Sequence, residues 1–258
     1  MTSPPLHLDT ETFRKLLQLQ GPSLGLWRAA EIAVLRQQKY DRPILDLGCG
    51  DGLVTSMVLP QVEIGIDPNE SALIQAESRK IYDRLIPLPL EKANIPDASI
   101  STIISNSVLE HIPELDIILQ TVARILKPGG KLILTTPTEA FSQWLTLPIK
   151  PYSNWRNRQL EHLNLWSVET WTEQLEKVGL KVEIVQPILN RELVSIWDSL
   201  ELLQQIWIAK KRVFGVIWRR IPLSTIDKMA EWFSQLDLST STTGGGRLIV
   251  ARKIDINL

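Results

Sequence analysis

The sequence predicts an α/β fold: a mainly parallel, twisted sheet with helices on both faces. Three observations carry this. Short apolar, β-branched runs alternate with amphipathic helical segments between residues 43 and 189. The first run ends in "LDLGCGDG" (45–52), whose glycine density marks a tight turn or a ligand touching the backbone, beyond the carboxyl end of a strand. The 258 residues, 44% hydrophobic and 22% charged, suit one α/β domain with an elaboration and a full buried core.

The elements follow in order. Residues 9–38 predict two helices. Asp9 caps the first, Gly21-Pro22 breaks it, and Ser23 is expected to cap the second. "PILDL" (43–47) is a buried strand, 52–59 a helix, "VEIGID" (62–67) a second strand and 69–80 a helix. "LIPLPL" (85–90) reads as a weak third strand and "ISTIIS" (100–105) as a β-branched fourth. A helix over 113–126 has Pro113 in its first turn and Leu115, Ile118, Leu119, Val122 and Leu126 on one face; "KPGG" (127–130) stops it. "KLILTTP" (131–137) is a fifth strand. Ser167 caps the next helix and Gly179 ends it. Residues 181–188 and 247–253 are the sixth and seventh strands.

Bulk properties exclude several classes. A net charge of -1 gives no global electrostatic case for nucleic acid. A single cysteine, Cys49, permits no internal disulfide and points to a reducing, cytoplasmic setting. The first residues lack a basic-then-apolar signal pattern, and no run reaches the roughly 18 apolar residues of a membrane span. No clustered ligands suggest a metal.

The spacing Gly48-x-Gly50-x-Gly52 is neither the fingerprint of a dinucleotide fold nor a phosphate loop. The second strand ends in Asp67, a carboxylate able to accept from both hydroxyls of a ribose. Together they read as a nucleoside site without phosphates.

"ILDLGCGDG", "IGIDPN", "IPDASISTIISNSVLEHI" and "ILKPGGKLILTTP" together resemble the consecutive motifs of class I S-adenosylmethionine-dependent methyltransferases, in the branch acting on small molecules, quinones and lipids. The likeness runs from about residue 43 to 137, and more loosely to 189. It implies a Rossmann-like seven-stranded sheet with the last strand antiparallel. It also implies S-adenosylmethionine as cofactor, with Gly48, Cys49 and Gly50 against its methionine and ribose, Asp46 beside the ammonium, Asp67 with neighbouring Pro68 at the ribose, and Asn106 near the methionine. The sequence departs from the family at Pro89, where an acidic residue usually reaches the adenine; Leu90, followed by Glu91, can still offer its backbone N–H there.

The cofactor's methyl is already activated, so a base is needed only for a nucleophile that carries a proton. His111 ("LEHI") and His162 ("LEHLNLWS") are the candidates, each with a structural role as the alternative. The expected organisation is N-terminal helices (1–42), a cofactor-binding core (43–189), a helical insertion (190–246) and the last strand (247–258).

Segments 138–166 and 190–246 are expected to wall or cover the substrate pocket. Ile196, Leu200, Leu203, Trp207, Phe214, Ile217 and Ile221 keep a 4-3 spacing, broken at Lys210, predicting a long helix or helix pair ending at Pro222. Asp198 and Glu201 early, with Lys210, Lys211, Arg212, Arg219 and Arg220 late, suit a helix dipole. The stripe over 194–236 could pack on the domain, form a homodimer or touch a membrane, since Trp beside Lys and Arg favours a bilayer interface. The expected function is methyl transfer to an oxygen or carbon of a small or lipid-like acceptor. The rival is an S-adenosylmethionine-binding partner or regulatory subunit without transferase activity.

Overall fold

The computed structural model describes residues 5–205, 207–208, 211–212 and 214–254. The elements are α1 (Thr10–Gln20), α2 (Pro22–Leu35), β1 (Ile44–Leu47), α3 (Leu53–Val58), β2 (Val62–Ile66), α4 (Glu70–Arg79), β3 (Tyr82–Ile86), β4 (Ile100–Asn106), α5 (Leu115–Ile125) and β5 (Leu126–Pro137). They continue with α6 (Lys150–Gln159), α7 (Val168–Lys177), β6 (Leu180–Ile188), α8 (Arg191–Gln204), β7 (Trp207–Ile208), β8 (Lys211–Arg212), α9 (Phe214–Trp218), α10 (Leu223–Ser234) and β9 (Gly246–Lys253).

The main sheet is seven-stranded, ordered β3-β2-β1-β4-β5-β9-β6. It is mostly parallel, with the antiparallel pairing confined to its last strands, as expected. The order reverses at β1, where β2 and β4 flank it on opposite sides, the switch point beyond which open α/β sheets take their ligands. The chain divides into two compact units. One holds the residues up to Val34, Ala140–Arg156 and Pro187–Gly246; the other holds Leu35–Glu139, Asn157–Gln186 and the residues from Arg247 onward.

The core of the second unit is built on the alternation read from sequence. β1 is buried along its whole length. Leu115, Ile118, Leu119 and Val122 of α5 are buried against Leu132, Leu134, Trp171 and Ile249. Ser167 caps α7 by accepting from the Thr170 N–H at 3.2 Å.

Several expectations are corrected. β3 begins at Tyr82 rather than Leu85 and ends before Pro87, because its first residues pair with β2 in register Val62 to Tyr82 and the prolines cannot continue the ladder. α5 starts at Leu115, so Pro113 precedes it. "KPGG" lies within β5: Ile100 pairs with Leu126 but Thr102 pairs with Lys131, so Gly129 and Gly130 form an irregularity in the ladder. α6, within the segment rich in Trp and Pro, had no clear periodic signal.

In the first unit Asp9 caps α1, accepting from the Thr12 N–H at 2.8 Å. Ser23 is not a cap. It lies inside α2 and donates its hydroxyl to Glu201 at 2.6 Å. Of the long helix or helix pair expected here, the single long helix does not form. α8 ends at Gln204, an antiparallel β7–β8 pair follows, and α9 is short. The β-branched and aromatic run Ile206-Trp207-Ile208 has a strand preference that 4-3 spacing conceals. Lys210 lies outside the described residues.

The buried face of α8 is Leu193, Val194, Trp197 and Asp198, not the stripe, whose Leu203 is 48% exposed. Asp198 therefore does not serve the helix dipole. Its Oδ1 accepts from Arg156 Nε at 2.9 Å, and its Oδ2 accepts from Tyr152 Oη at 2.6 Å and the Thr146 N–H at 2.9 Å. Both ends of this ion pair are fully buried. Trp27, Phe141 and Trp197 pack edge to face or tilted against one another, with centroids 5.3 to 5.5 Å apart, and the Arg156 guanidinium lies over the Trp197 ring. Among the described residues no helix is long and apolar enough to cross a membrane.

Candidate functional site

The turn after β1 is held to β2 by its backbone. The N–H groups of Gly48 and Cys49 both donate to the Ile66 carbonyl, at 2.8 and 3.0 Å. Three glycines take positive φ here, for different reasons. A Cβ on Gly48 would lie 2.4 Å from Val108, which follows β4. A Cβ on Gly52 would lie 2.9 Å from the Tyr82 ring. A Cβ on Gly50 would meet nothing within 4 Å. Two glycines thus admit neighbouring side chains, and the middle one faces open space.

Asp67 stands beside that open position. Its Oδ2 accepts from the Gly50 N–H at 2.9 Å, and its Oδ1 accepts from the Asn69 N–H at 2.8 Å. The cap of α4 is Asn69, which accepts from Ala72 N–H, so Asp67 is not a helix cap. Pro68, next to it, is exposed.

Asp46 lies under the turn, buried. Burial pushes its carboxyl up to about 6, against hydrogen bonds from Thr55 and Tyr82 that favour the ionised form; the Asp67 charge adds to the rise. Tyr82 Oη donates to Asp46 Oδ2 at 2.6 Å. Burial, then the Asp46 charge, raise the Tyr82 phenol well above its ordinary value. Burial also pushes the Cys49 thiol up, with Asp46 and Asp67 adding, so Cys49 stays a thiol and fills space in the turn.

Past β3, Leu90 opens a single 3-10 turn (Leu90–Lys92) behind Pro89. Its side chain is buried and its N–H is at the first position, where a helix supplies no internal partner. Glu91 is exposed. At the end of β4, Asn106 Oδ1 accepts from Thr135 Oγ1 at 2.8 Å. Ser107 then takes φ 49° and donates its N–H to the Thr135 carbonyl, which sends Val108 over Gly48.

The two histidine candidates come together. The Leu163 and Asn164 N–H groups donate to the Glu110 carbonyl at 2.8 and 3.0 Å. Asn164 Nδ2 donates to the carbonyls of Leu109 and Ile112 at 2.9 and 2.8 Å. These bonds lay the segment after α6 along the turn after β4. The rings of His111 and His162 are consequently 5.5 Å apart. His111 Nδ1 is 3.1 Å from the Glu161 carbonyl, and its Nε2 is 3.8 Å from the buried Glu110 carboxylate.

Sequence reasoning missed Tyr82, Glu110 and Asn164. Asn164 had a signal, a lone amide inside the apolar run "LNLW". Gly65 could have pointed to Tyr82, since a Cβ there would also lie 2.9 Å from the Tyr82 ring. Among the described residues no group of three His, Cys, Asp or Glu could hold a metal.

A mostly parallel seven-stranded sheet with a glycine turn and an acid at successive strand tips defines a class, and the comparisons agree: a methyltransferase domain model matches residues 25–185, and the chain belongs to that family. S-adenosylmethionine is the family's cofactor. The mitochondrial ubiquinone biosynthesis O-methyltransferase of Homo sapiens is 28% identical over 193 residues, covering 66% of this chain and 50% of that one. The tRNA U34 carboxymethyltransferase of Actinobacillus pleuropneumoniae is 36% identical over 152 residues, covering 55% and 46%. The chain spans about half the length of these curated relatives. A SAM-dependent methyltransferase structure from Thermotoga maritima, titled a possible histamine N-methyltransferase, shares the fold at TM-score 0.57 and 14% identity, covering 93% of this chain and 99% of that one.

Proposed function

We propose that this chain transfers the methyl group of S-adenosylmethionine to an oxygen or carbon of a small or lipid-like acceptor. The observation that carries this is Asp67, fixed by two backbone N–H groups beside the open side of Gly50. Each Asp67 oxygen has accepted one N–H and retains a further lone pair, which fits the two hydroxyls of a ribose. Asp46 is a buried carboxylate near another carboxylate. A ligand ammonium beside it would favour its ionised form, which suits the methionine end. Gly48 and Cys49 shape the turn, Asn106 lies toward the methionine, Pro68 borders the ribose, and Leu90 with Glu91 borders the adenine through the Leu90 N–H.

The bound cofactor supplies an electrophilic sulfonium methyl. The chain's part is to align the acceptor, exclude water and, for a hydroxyl acceptor, remove one proton. The paired imidazoles of His111 and His162 are the groups suited to take it, with the Glu110 carboxylate stabilising the resulting imidazolium. A quinol-like acceptor is favoured by the likeness to a ubiquinone O-methyltransferase. The buried Cys49 thiol suits a reducing, cytoplasmic compartment.

The test is formation of S-adenosylhomocysteine with a panel of acceptors: hydroquinones with and without an aliphatic tail, and tRNA. Turnover with the hydroquinones supports the reading. Turnover with tRNA alone, or cofactor binding with no turnover on any acceptor, overturns it.

A further inference from the structure

Between Glu201 and Asp227 the chain carries Lys210, Lys211, Arg212, Arg219 and Arg220 and no acidic residue, although the whole chain is at -1. Trp207, Phe214 and Trp218 are interleaved with these cations in sequence. Cationic and aromatic residues mixed in this way match the chemistry of a bilayer interface.

The described part of this segment has a defined anchorage within its own unit. Trp218 Nε1 donates to the Leu17 carbonyl at 3.0 Å, which fastens α9 to the last turn of α1. Phe214 stacks on Trp218 with centroids 5.6 Å apart. Glu201 accepts from Ser23, and Gln204 lies 3.5 Å from where a Cβ of Gly21 would be, so the end of α8 meets the junction of α1 and α2. These ends converge, and each turns an aliphatic side chain to solvent: Leu19 at 60% exposure, Leu203 at 48% and Ile217 at 55%, with Leu24 at 37%. Arg219 and Arg220 beside them are exposed.

We propose that this end of the unit docks on an anionic lipid bilayer, the aliphatic side chains entering the headgroup layer and Arg219 and Arg220 meeting lipid phosphates. Charge selects this occupant. A second copy would set Arg219 and Arg220 against the same two cations, an unfavourable juxtaposition. Exposed leucine and isoleucine offer nucleic acid neither base stacking nor hydrogen bonds, whereas they gain by leaving water for lipid.

The experiment is co-sedimentation of the full chain with vesicles of phosphatidylcholine alone and of phosphatidylcholine mixed with phosphatidylglycerol, at low and high salt. Wild type is expected to bind the mixed vesicles and to be released by salt. Each cation at such a surface is worth about fivefold in partitioning, so the double variant Arg219→Glu/Arg220→Glu should bind at least ~25-fold more weakly. Ile217→Asp should also weaken binding, and both variants should keep the wild-type circular dichroism. Equal binding to both vesicle types, or binding untouched by either variant, overturns the proposal. So does a solution dimer that Ile217→Asp splits in a chain that binds no vesicles.

Discussion

Replacing Tyr82 with Phe removes one hydroxyl and leaves the ring that packs over Gly52 and Gly65. That hydroxyl donates to a buried carboxylate at 2.6 Å, and it favours the ionised form of Asp46. A hydrogen bond to a charged group contributes about 1.5–3 kcal/mol, which corresponds to roughly one to two pH units. The Asp46 carboxyl, near 6 in the wild type, should therefore rise by that amount in the variant. Other groups facing Asp46 are Asp67, Cys49, Thr55 and Tyr40, and all remain. The sign follows from linkage. A carboxyl raised on folding contributes its full stability below its unfolded value near 3.8 and loses it as pH climbs through about 6. Wild type should thus lose on the order of 3 kcal/mol from this group between pH 4 and pH 8, and the variant should go on losing stability to higher pH. Binding of a cationic cofactor ammonium runs the other way, because it needs ionised Asp46. Affinity for S-adenosylhomocysteine should fall below about pH 6 in wild type, and the midpoint should move up by one to two units in Tyr82→Phe. Calorimetric titration across pH, with thermal denaturation of the free protein alongside, reads both effects. An unshifted binding midpoint in the variant would refute the positioning role of Tyr82.

Three further outcomes are expected. Gly48→Ala places a Cβ 2.4 Å from Val108 at positive φ and should destabilise by several kcal/mol in urea unfolding; adding Val108→Ala should recover part of the loss, leaving the strained φ. Asp198→Ala leaves Arg156 buried without its anionic partner and should lower stability by about 3–5 kcal/mol, an effect that Asp198→Glu at the same site should reproduce only in part. Asn164→Ala removes the donor to the Leu109 and Ile112 carbonyls and should cost about 1–3 kcal/mol; turnover should fall further than cofactor binding, because the variant frees the segment that carries His162.

The parts of the molecule that were legible in sequence are those fixed by local chemistry. Asp9 and Ser167 cap the helices they precede because a short side-chain oxygen reaches a backbone N–H three residues on. The glycine turn and the Asp67 tip were readable because positive φ and strand-end placement leave strong residue preferences. The unread parts depend on distant partners. Ser23 had the composition of a cap, but Glu201, far along the chain, claims its hydroxyl. Asp198 had the position of a dipole residue, and Arg156 turned it into half of a buried ion pair. The three glycines were seen as one motif. Only the folded chain separates Gly48 and Gly52, which make room for Val108 and Tyr82, from Gly50, which faces open space. Likewise the histidines were separate candidates until Asn164 and the Glu110 carbonyl drew their two segments together.

Asp67, held beside Gly50, is proposed to take the ribose of S-adenosylmethionine. The most direct measurement is calorimetric titration of wild type and Asp67→Ala with S-adenosylmethionine and S-adenosylhomocysteine. Both ligands should bind the wild type saturably, and neither should bind the variant, which should still unfold cooperatively. A folded Asp67→Ala protein that binds either ligand as tightly as wild type would contradict that role.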